Sequence, residues 1–497
     1  MRRSKVTSFC KTTNSSNHGI KNTYGDMPEL MENILNNLND EIYSLHSCAL
    51  VSRHWCQMSI PFLWQDPFAF NQRPSFISNY FSSLGEYEKI IFKKCGINEE
   101  FSKTLFDYAR FLKVLNLGKL ESRVDDWIEL FNSKSLNDDN DDNDDTSSYH
   151  IINLLFKLFI ESGAILHKFS LYFSESIEFK PEIFYSLEQN VQFFSQIQHL
   201  TLYIIDLNVK SVTTLLRALA KNATKIRTLK FREHYNDDHD NDNDMLQLIH
   251  SFIYFIKSQE LRKISLVGVR YFTKFHGFIS ALESQKCSLQ EVRIKNCNFS
   301  AEFELTVSSI DARPIALMLK KSGILLQRLS LESIGEKINE EPLLLETIKS
   351  FCPNITCLKI SNFAFSTQLI ELIDNFQKLQ ILSLRCNTND ISEEKLKIRM
   401  IQFSEKLPLT LQYFCLGHWL GKYTDILLNH CNAPLKKLLI YGIYDEKVFN
   451  ALVEFCIRIK TLNYVGIEEY SNLDDNIRKE LEAYVALVPS KSTDFDF

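Results

Sequence analysis

The sequence predicts an α/β protein: a small unit of three helices followed by a long solenoid of parallel strands and helices. Three observations predict this. A six-residue apolar unit recurs from residue 87 onward, helical periodicity fills the intervals between its copies, and residues 27–64 carry a dense apolar pattern of helical type.

The recurring unit has the form apolar-x-x-apolar-x-apolar and occurs thirteen times, most copies being 24–37 residues apart. Its short length and alternating end are typical of a buried strand. The copies are YEKIIF (87–92), LKVLNL (112–117), LHKFSL (166–171), IQHLTL (197–202), IRTLKF (226–231), LRKISL (261–266), LQEVRI (289–294), LQRLSL (326–331), ITCLKI (355–360), LQILSL (379–384), LQYFCL (411–416), LKKLLI (435–440) and IKTLNY (459–464).

Between the copies, apolar residues fall three and four apart, as in EPLLLETIKSFC (341–352) and DEKVFNALVEFC (445–456). Alternation of strand and helix at this period is typical of leucine-rich repeats, with parallel strands on the concave face and helices on the convex face. A doubly wound sheet is the alternative, but thirteen equivalent units would make an open sheet too wide. The repeats are irregular, so their exact number stays open.

The predicted domain boundaries follow these patterns. Two acidic runs inside the repeats predict solvated insertions rather than calcium loops, because the glycine that an EF-hand needs at its sixth position is Asn143 or Asp242 here. The segments are a disordered tail (1–25), the helical unit (26–68), a linker (69–86), the solenoid (87–486) with insertions at 137–145 and 236–244, and a C-terminal tail (487–497).

Composition excludes several classes of function. The net charge of −6 argues against general nucleic-acid binding, and no apolar run approaches the ~20 residues of a membrane helix. The twelve cysteines are scattered without metal-ligand spacing, which predicts reduced thiols, no metal or cofactor, and a cytoplasmic or nuclear protein. No nucleophile, metalloprotease or nucleotide-binding motif occurs, so we expect no enzyme and no catalytic residue.

Residues 27–64 carry more apolar surface than a segment of about 40 residues can bury alone without disulfides or metals. Pro28 suits a first helical turn after an Asp26 cap, and an apolar face follows, composed of Leu30, Met31, Ile34, Leu35 and Leu38. A second helical stripe is predicted through Val51, Trp55, Met58 and Phe62. This surplus of apolar surface predicts a binding partner.

This segment resembles an F-box, the motif carried by Met27-Pro28-Glu29-Leu30, Ile34, Leu38, Leu45, Leu50-Val51-Ser52-Arg53, Trp55 and Trp64. Met27 departs from the usual leading leucine, and Trp-Gln-Asp-Pro-Phe (64–68) is similar to the F-box edge of fungal F-box and leucine-rich-repeat families. The resemblance implies the substrate-recognition subunit of an SCF-type ubiquitin ligase, in which a Skp-family adaptor connects the F-box to a cullin and a RING subunit. The residues that match adaptor-binding positions are Pro28, Ile34, Leu38, Leu50, Val51 and Trp55. The alternative for Trp55 and Trp64 is that they close the core of the helical unit.

The third, fifth and seventh positions of each unit are expected on the concave face. The twelve units from residue 112 have 36 such positions, of which ten are basic and two, Glu291 and Glu332, are acidic. The whole chain has 56 basic and 62 acidic residues in 497, so roughly four of each would be expected among 36 positions by chance. The basic set is Lys168, Lys230, Arg232, Lys263, Arg293, Lys295, Arg328, Lys359, Arg385 and Lys437.

An excess of one sign predicts a face that binds an acidic or phosphorylated protein substrate. The expected substrate-binding residues are Lys230, Arg232, Lys263, Arg293, Lys295, Arg328, Lys359 and Arg385. The alternative explanation is that these side chains keep an exposed sheet soluble.

Two further functions stay open from the sequence. One is a leucine-rich-repeat scaffold or adaptor protein without a role in ubiquitination. The other is a nucleic-acid-binding solenoid, which the acidic runs and the lack of interleaved aromatic residues disfavour.

Overall fold

The computed structural model of the protein describes residues 28–38, 41–69, 73–82, 85–95, 97, 101–132, 144–173, 179–204, 209–233, 242–268, 281–297, 310–333, 338–443, 445–468 and 473–489. The chain forms two compact units, which divide between Pro67 and Phe68. No helix among these residues is long and apolar enough to cross a bilayer.

The first unit consists of three helices: α1 (Pro28–Asn37), α2 (Ile42–Ala49) and α3 (Arg53–Leu63). Helices α1 and α2 both pack on α3. Helix α1 begins at a proline, whose missing N–H is harmless in a first turn. Helix α3 begins after Ser52, whose hydroxyl accepts a hydrogen bond from the backbone N–H of Trp55 at 3.2 Å.

The second unit is built on a parallel sheet whose described strands number thirteen and follow one another in chain order. They are β1 (Val114–Asn116), β2 (Lys168–Phe173), β3 (His199–Ile204), β4 (Thr228–Glu233), β5 (Lys263–Val267), β6 (Glu291–Lys295), β7 (Arg328–Glu332), β8 (Cys357–Ala364), β9 (Ile381–Asn387), β10 (Tyr413–Cys415), β11 (Lys437–Ile440), β12 (Tyr464–Ile467) and β13 (Ala486–Pro489).

Helices precede or connect the strands and pack on one another along the convex side. Two short strands, Ile310–Asp311 and Ile338–Asn339, pair with each other outside the main sheet. The helices are α4 (Glu86–Lys94), α5 (Leu117–Asn132), α6 (Asp144–Glu161), α7 (Pro181–Gln189), α8 (Val209–Asn222), α9 (Asp242–Lys257), α10 (Ala312–Ser322), α11 (Glu341–Phe351), α12 (Thr367–Asn375), α13 (Glu393–Glu405), α14 (Thr424–His430), α15 (Glu446–Arg458) and α16 (Asp475–Glu482).

The strand register explains why the six-residue unit recurs. Leu358 and Ile360 of β8 pair with Leu382 and Leu384 of β9, and all four side chains are buried. Each unit thus adds an equivalent layer of apolar side chains to a continuous core. A single unit could not bury these side chains by itself. The predicted α/β fold, a leucine-rich-repeat solenoid, is confirmed.

At the ends of the array, two predicted strands and the predicted start of the C-terminal tail are wrong. Residues 87–92 lie in α4, because an apolar spacing of three also fits one face of a helix. In the last predicted unit the register is three residues later: Tyr464 pairs with Lys437, so Leu462 takes the first position. Strand β13 occupies residues that the sequence placed mostly in the C-terminal tail, 487–497.

The segment predicted as a linker, 69–86, instead contributes to the core of the second unit. A 3₁₀-helix at Pro74–Phe81 buries Tyr80 and Phe81, whose rings contact Phe159 and Trp127. Pro74 cannot continue a strand, but it suits the start of this short helix.

The two acidic runs lie partly outside the described residues. Residues 137–143 and 236–241 are not described, whereas 144–145 and 242–244 form the first turns of α6 and α9. Aspartate is favourable at a helix N-terminus, where its charge complements the helix dipole. The runs therefore extend into regular helices, which the prediction of loop insertions missed.

Candidate protein-binding surfaces

The apolar face predicted on α1 is divided by the structure into two sides. Met31 and Leu35 are buried, whereas Leu30 is 55% exposed and Ile34 is 40% exposed. Leu30 and Ile34 are one helical turn apart and therefore share a side of α1. One side of this helix builds the core of the unit, and the other presents apolar surface to the outside.

The turn between α2 and α3 presents a second apolar group. Leu50 and Val51 are 71% and 67% exposed, and their backbone N–H groups donate to the carbonyls of Ser47 and Cys48, both at 3.1 Å. The prediction that Val51 joins a buried helical stripe is therefore wrong, because Val51 precedes α3 and lies in a turn. The side chains stand exposed on a backbone whose hydrogen bonds are satisfied.

The remaining residues of the F-box pattern fall into distinct environments. Leu45 is buried in the core of the unit, while Leu38 and Trp55 are half-buried. Pro28 begins α1, and its side chain lies outside the described residues. Tyr43, which sequence reasoning did not single out, is 88% exposed on α2. We call Leu30, Ile34, Tyr43, Leu50 and Val51 the exposed apolar set.

On the concave face of the solenoid, Glu332 of β7 lies among three of the predicted cations. Its carboxylate is 3.4 Å from Arg293, 3.3 Å from Lys295 and 3.2 Å from Lys359, and it accepts a hydrogen bond from the Ser330 hydroxyl at 3.0 Å. Burial by itself would raise the pKa of Glu332, but the cations outweigh that effect and the pKa is lowered.

Glu291 of β6 pairs two more of the predicted cations. Its carboxylate is 2.5 Å from the ammonium of Lys263 on β5 and 3.9 Å from the guanidinium of Arg328 on β7. Two carboxylates thus hold five of the eight predicted substrate-binding cations. We call these seven side chains the central ionic cluster: Lys263, Glu291, Arg293, Lys295, Arg328, Glu332 and Lys359.

Half of the ten basic side chains predicted on the concave face are therefore ion-paired. The corrected register of β12 also places Glu468 at the seventh position of its unit, where the earlier register placed Val465. Arg385 lies exposed on β9, apart from the central ionic cluster, and the ammonium of Lys437 lies 5.9 Å from the ring centroid of Tyr464. Ten basic side chains still outnumber three carboxylates at these positions, and five of the ten share ion pairs with Glu291 and Glu332.

The first strands of the sheet present cations and aromatic rings together. Lys168 of β2 and Lys230 and Arg232 of β4 are exposed, and the Arg232 guanidinium lies 5.6 Å from the ring centroid of Tyr203. The Tyr203 ring lies 5.8 Å from the ring of Tyr172. Sequence reasoning missed both tyrosines, although both occupy a seventh position and could have been found there.

A cleft of about 740 Å³ adjoins these rings. It is bordered by Tyr172, Tyr203 and the first turns of α5, and Gly118 lets α5 approach closely, since a Cβ there would lie 3.3 Å from Cγ of Tyr172. Its acidic residues include Asp126, which is paired with Arg123 at 3.0 Å. The volume of this open cleft is sufficient for a side chain of a bound protein segment.

No protein-family model matches the chain, and no curated protein matches it. Among solved structures, the chain is similar to the yeast complex of Rad7 and Elc1 (TM-score 0.43, 11% identity, 93% of this chain and 98% of that chain). It is also similar to the leucine-rich-repeat-containing protein LegL7 of Legionella pneumophila (0.36, 13%, 59% and 91%) and to a Bacteroides fragilis protein (0.34, 13%, 60% and 75%).

The assignment of the fold rests on the register of the parallel strands themselves. The parallel sheet and its stacked repeats define a leucine-rich-repeat protein, and its exposed apolar and charged surfaces are of the kind that serves protein–protein interaction.

Proposed function

We propose that this chain is the substrate-recognition subunit of an SCF-type ubiquitin ligase. The helical unit α1–α3 docks on a Skp-family adaptor, which connects it to a cullin and a RING subunit, and the solenoid captures a protein substrate. The chain itself carries no catalytic residue and needs no cofactor. It acts in the cytoplasm or the nucleus.

The observation that carries this proposal is the exposed apolar set. Three apolar side chains of the helical unit, Met31, Leu35 and Leu45, are buried, while the five large apolar side chains of the exposed set face outward. Full burial of one such side chain contributes about 1.5–3 kcal/mol, so their exposure in so small a unit favours a protein partner. Three of the six residues predicted to bind the adaptor, Ile34, Leu50 and Val51, belong to this set.

The test is co-purification of the full chain with a Skp-family adaptor after co-expression. The double variant Leu50→Asp, Val51→Asp is expected to lose the adaptor, because two charges would enter an apolar interface. A matched control, Asn33→Asp with Gln57→Glu, adds the same charge at exposed polar positions of the same unit and is expected to keep it.

Absence of a complex with the folded wild-type chain would refute adaptor docking. A stable complex that transfers no ubiquitin to proteins bound by the solenoid, in a reconstituted reaction with cullin and RING subunits, would favour the scaffold function instead.

A further inference from the structure

The charges of the concave face are distributed unequally along the solenoid. In the central ionic cluster every cation has a carboxylate within 4 Å. On β2–β4, no carboxylate among the side chains that the structure describes forms an ion pair with Lys168, Lys230 or Arg232. The five central cations thus share two carboxylates, whereas the three cations of the first strands form no ion pair with a described side chain.

The strand register brings these three cations together. Lys168 pairs with His199, and His199 with Thr228, in one row across β2–β4; Tyr172, Tyr203 and Arg232 form a parallel row at the seventh positions. Lys230 and Arg232 lie two residues apart on one face of β4, about 7 Å along the strand, and β2 lies about 10 Å from β4. We call Lys168, Lys230 and Arg232 the β2–β4 cations.

His199 of β3 lies between β2 and β4, close to these cations. Burial lowers the pKa of His199, and the nearby cations Lys168, Lys230 and Lys263 lower it further. The imidazole therefore adds no positive charge at neutral pH.

We propose that the β2–β4 cations anchor an acidic linear segment of the protein substrate, with a neutral side chain of that segment seated in the cleft beside Tyr172 and Tyr203. This inference rests on the proposed function, since it names the substrate class that the solenoid takes. Carboxylates or phosphates of the segment pair with the three cations, and the Arg232 guanidinium can bind such a group from its place over the Tyr203 ring.

The surroundings favour a short acidic peptide over a nucleic acid. The cleft next to the β2–β4 cations is lined by three carboxylates, those of Glu121, Asp125 and Asp126, and by two cations, Lys119 and Arg123. Its formal charge of −1 does not attract a continuous polyanion. A peptide can place its anions on the cations and a neutral side chain in the cleft. With a net charge of −6, the chain as a whole also repels nucleic acid.

The test is fluorescence anisotropy with the full chain and a fluorescein-labelled peptide of alternating glutamate and serine that ends in leucine. Lys230→Gln with Arg232→Gln is expected to weaken binding about tenfold. The matched control, Lys395→Gln with Lys447→Gln, removes two charges from exposed positions of helices α13 and α15 and is expected to change affinity less than about twofold. Circular dichroism of each variant confirms that it is folded.

Equal losses in the two double variants would overturn the proposal, because binding would then follow total charge. Tighter binding of a ten-nucleotide oligouridine than of the peptide would overturn it in favour of RNA. Binding by a variant whose aspartates at 236–244 are replaced by asparagine, with none by the wild type, would identify the chain's own acidic run as the occupant. Adaptor co-purification, measured on the same proteins, reports separately on the proposed function.

Discussion

Replacement of Trp127 tests whether the segment before β2 caps the solenoid. Trp127 of α5 is fully buried, and its indole N–H donates to the Ser78 hydroxyl at 3.0 Å. Its ring lies 5.5 Å from Phe81, 5.9 Å from Phe92 and 5.1 Å from Phe131. One side chain thus joins the 3₁₀-helix, α4 and α5.

The expected magnitude follows from these contacts. Burial of an aromatic side chain removes about 150–250 Å² from water, which corresponds to roughly 4–6 kcal/mol as an upper limit. Measured losses for Trp→Ala in cores are about 3–5 kcal/mol, and we expect Trp127→Ala in that range. Trp127→Phe keeps one ring and loses the hydrogen bond, so we expect about 1–2 kcal/mol.

The assay is urea unfolding of the full chain followed by far-UV circular dichroism. Because stability in a solenoid is a sum over neighbouring repeats, the loss should appear as an earlier unfolding step of the first repeats rather than a shift of the whole curve. Leu130→Ala, at an exposed position of α5, is the matched control and should change the free energy of unfolding by less than about 1 kcal/mol. An unchanged curve for Trp127→Ala would refute the capping role.

Three further outcomes are expected. Because the pKa of Glu332 is lowered in the folded state, its carboxylate stabilises the fold above an unfolded pKa of about 4.3 and loses that effect as pH falls through the folded pKa. Urea titrations should therefore show Glu332→Gln less stable than wild type at neutral pH, with the difference in free energy of unfolding closing in acid. A difference that is independent of pH would contradict this. Ser52→Ala removes the N-cap of α3 and should destabilise that helix by about 1 kcal/mol, measured by hydrogen exchange, whereas Ser52→Asp should retain most of the protection. Iodoacetamide at pH 8 should alkylate exposed Cys287 before Cys352 and Cys357, because burial raises the pKa of each of the latter two thiols to about 12. If mass spectrometry found Cys352 and Cys357 labelled first in the folded protein, that result would contradict their burial.

The helical unit shows how far local patterns reach. Its helical character and the start of α1 at Pro28 follow from proline and apolar spacing, which act within a few residues, whereas the start of α3 after Ser52 was not predicted. Which apolar residues stay outside does not follow. Leu30 and Met31 are adjacent apolar residues, and only the packing of α1 on α3 buries one and exposes the other.

The sequence by itself determined the interior strands of the solenoid, because each six-residue unit must place its three apolar residues on one side to be buried. It did not determine the ends of the array, where the spacing also fits a helix and neighbouring repeats decide the register. It determined the sign of the concave charges but not their pairing. Glu332 meets Arg293 and Lys359 only because β7 lies between β6 and β8, across strands distant in the chain. Short-range patterns fix secondary structure, whereas ion pairs between strands depend on register, which is a tertiary property.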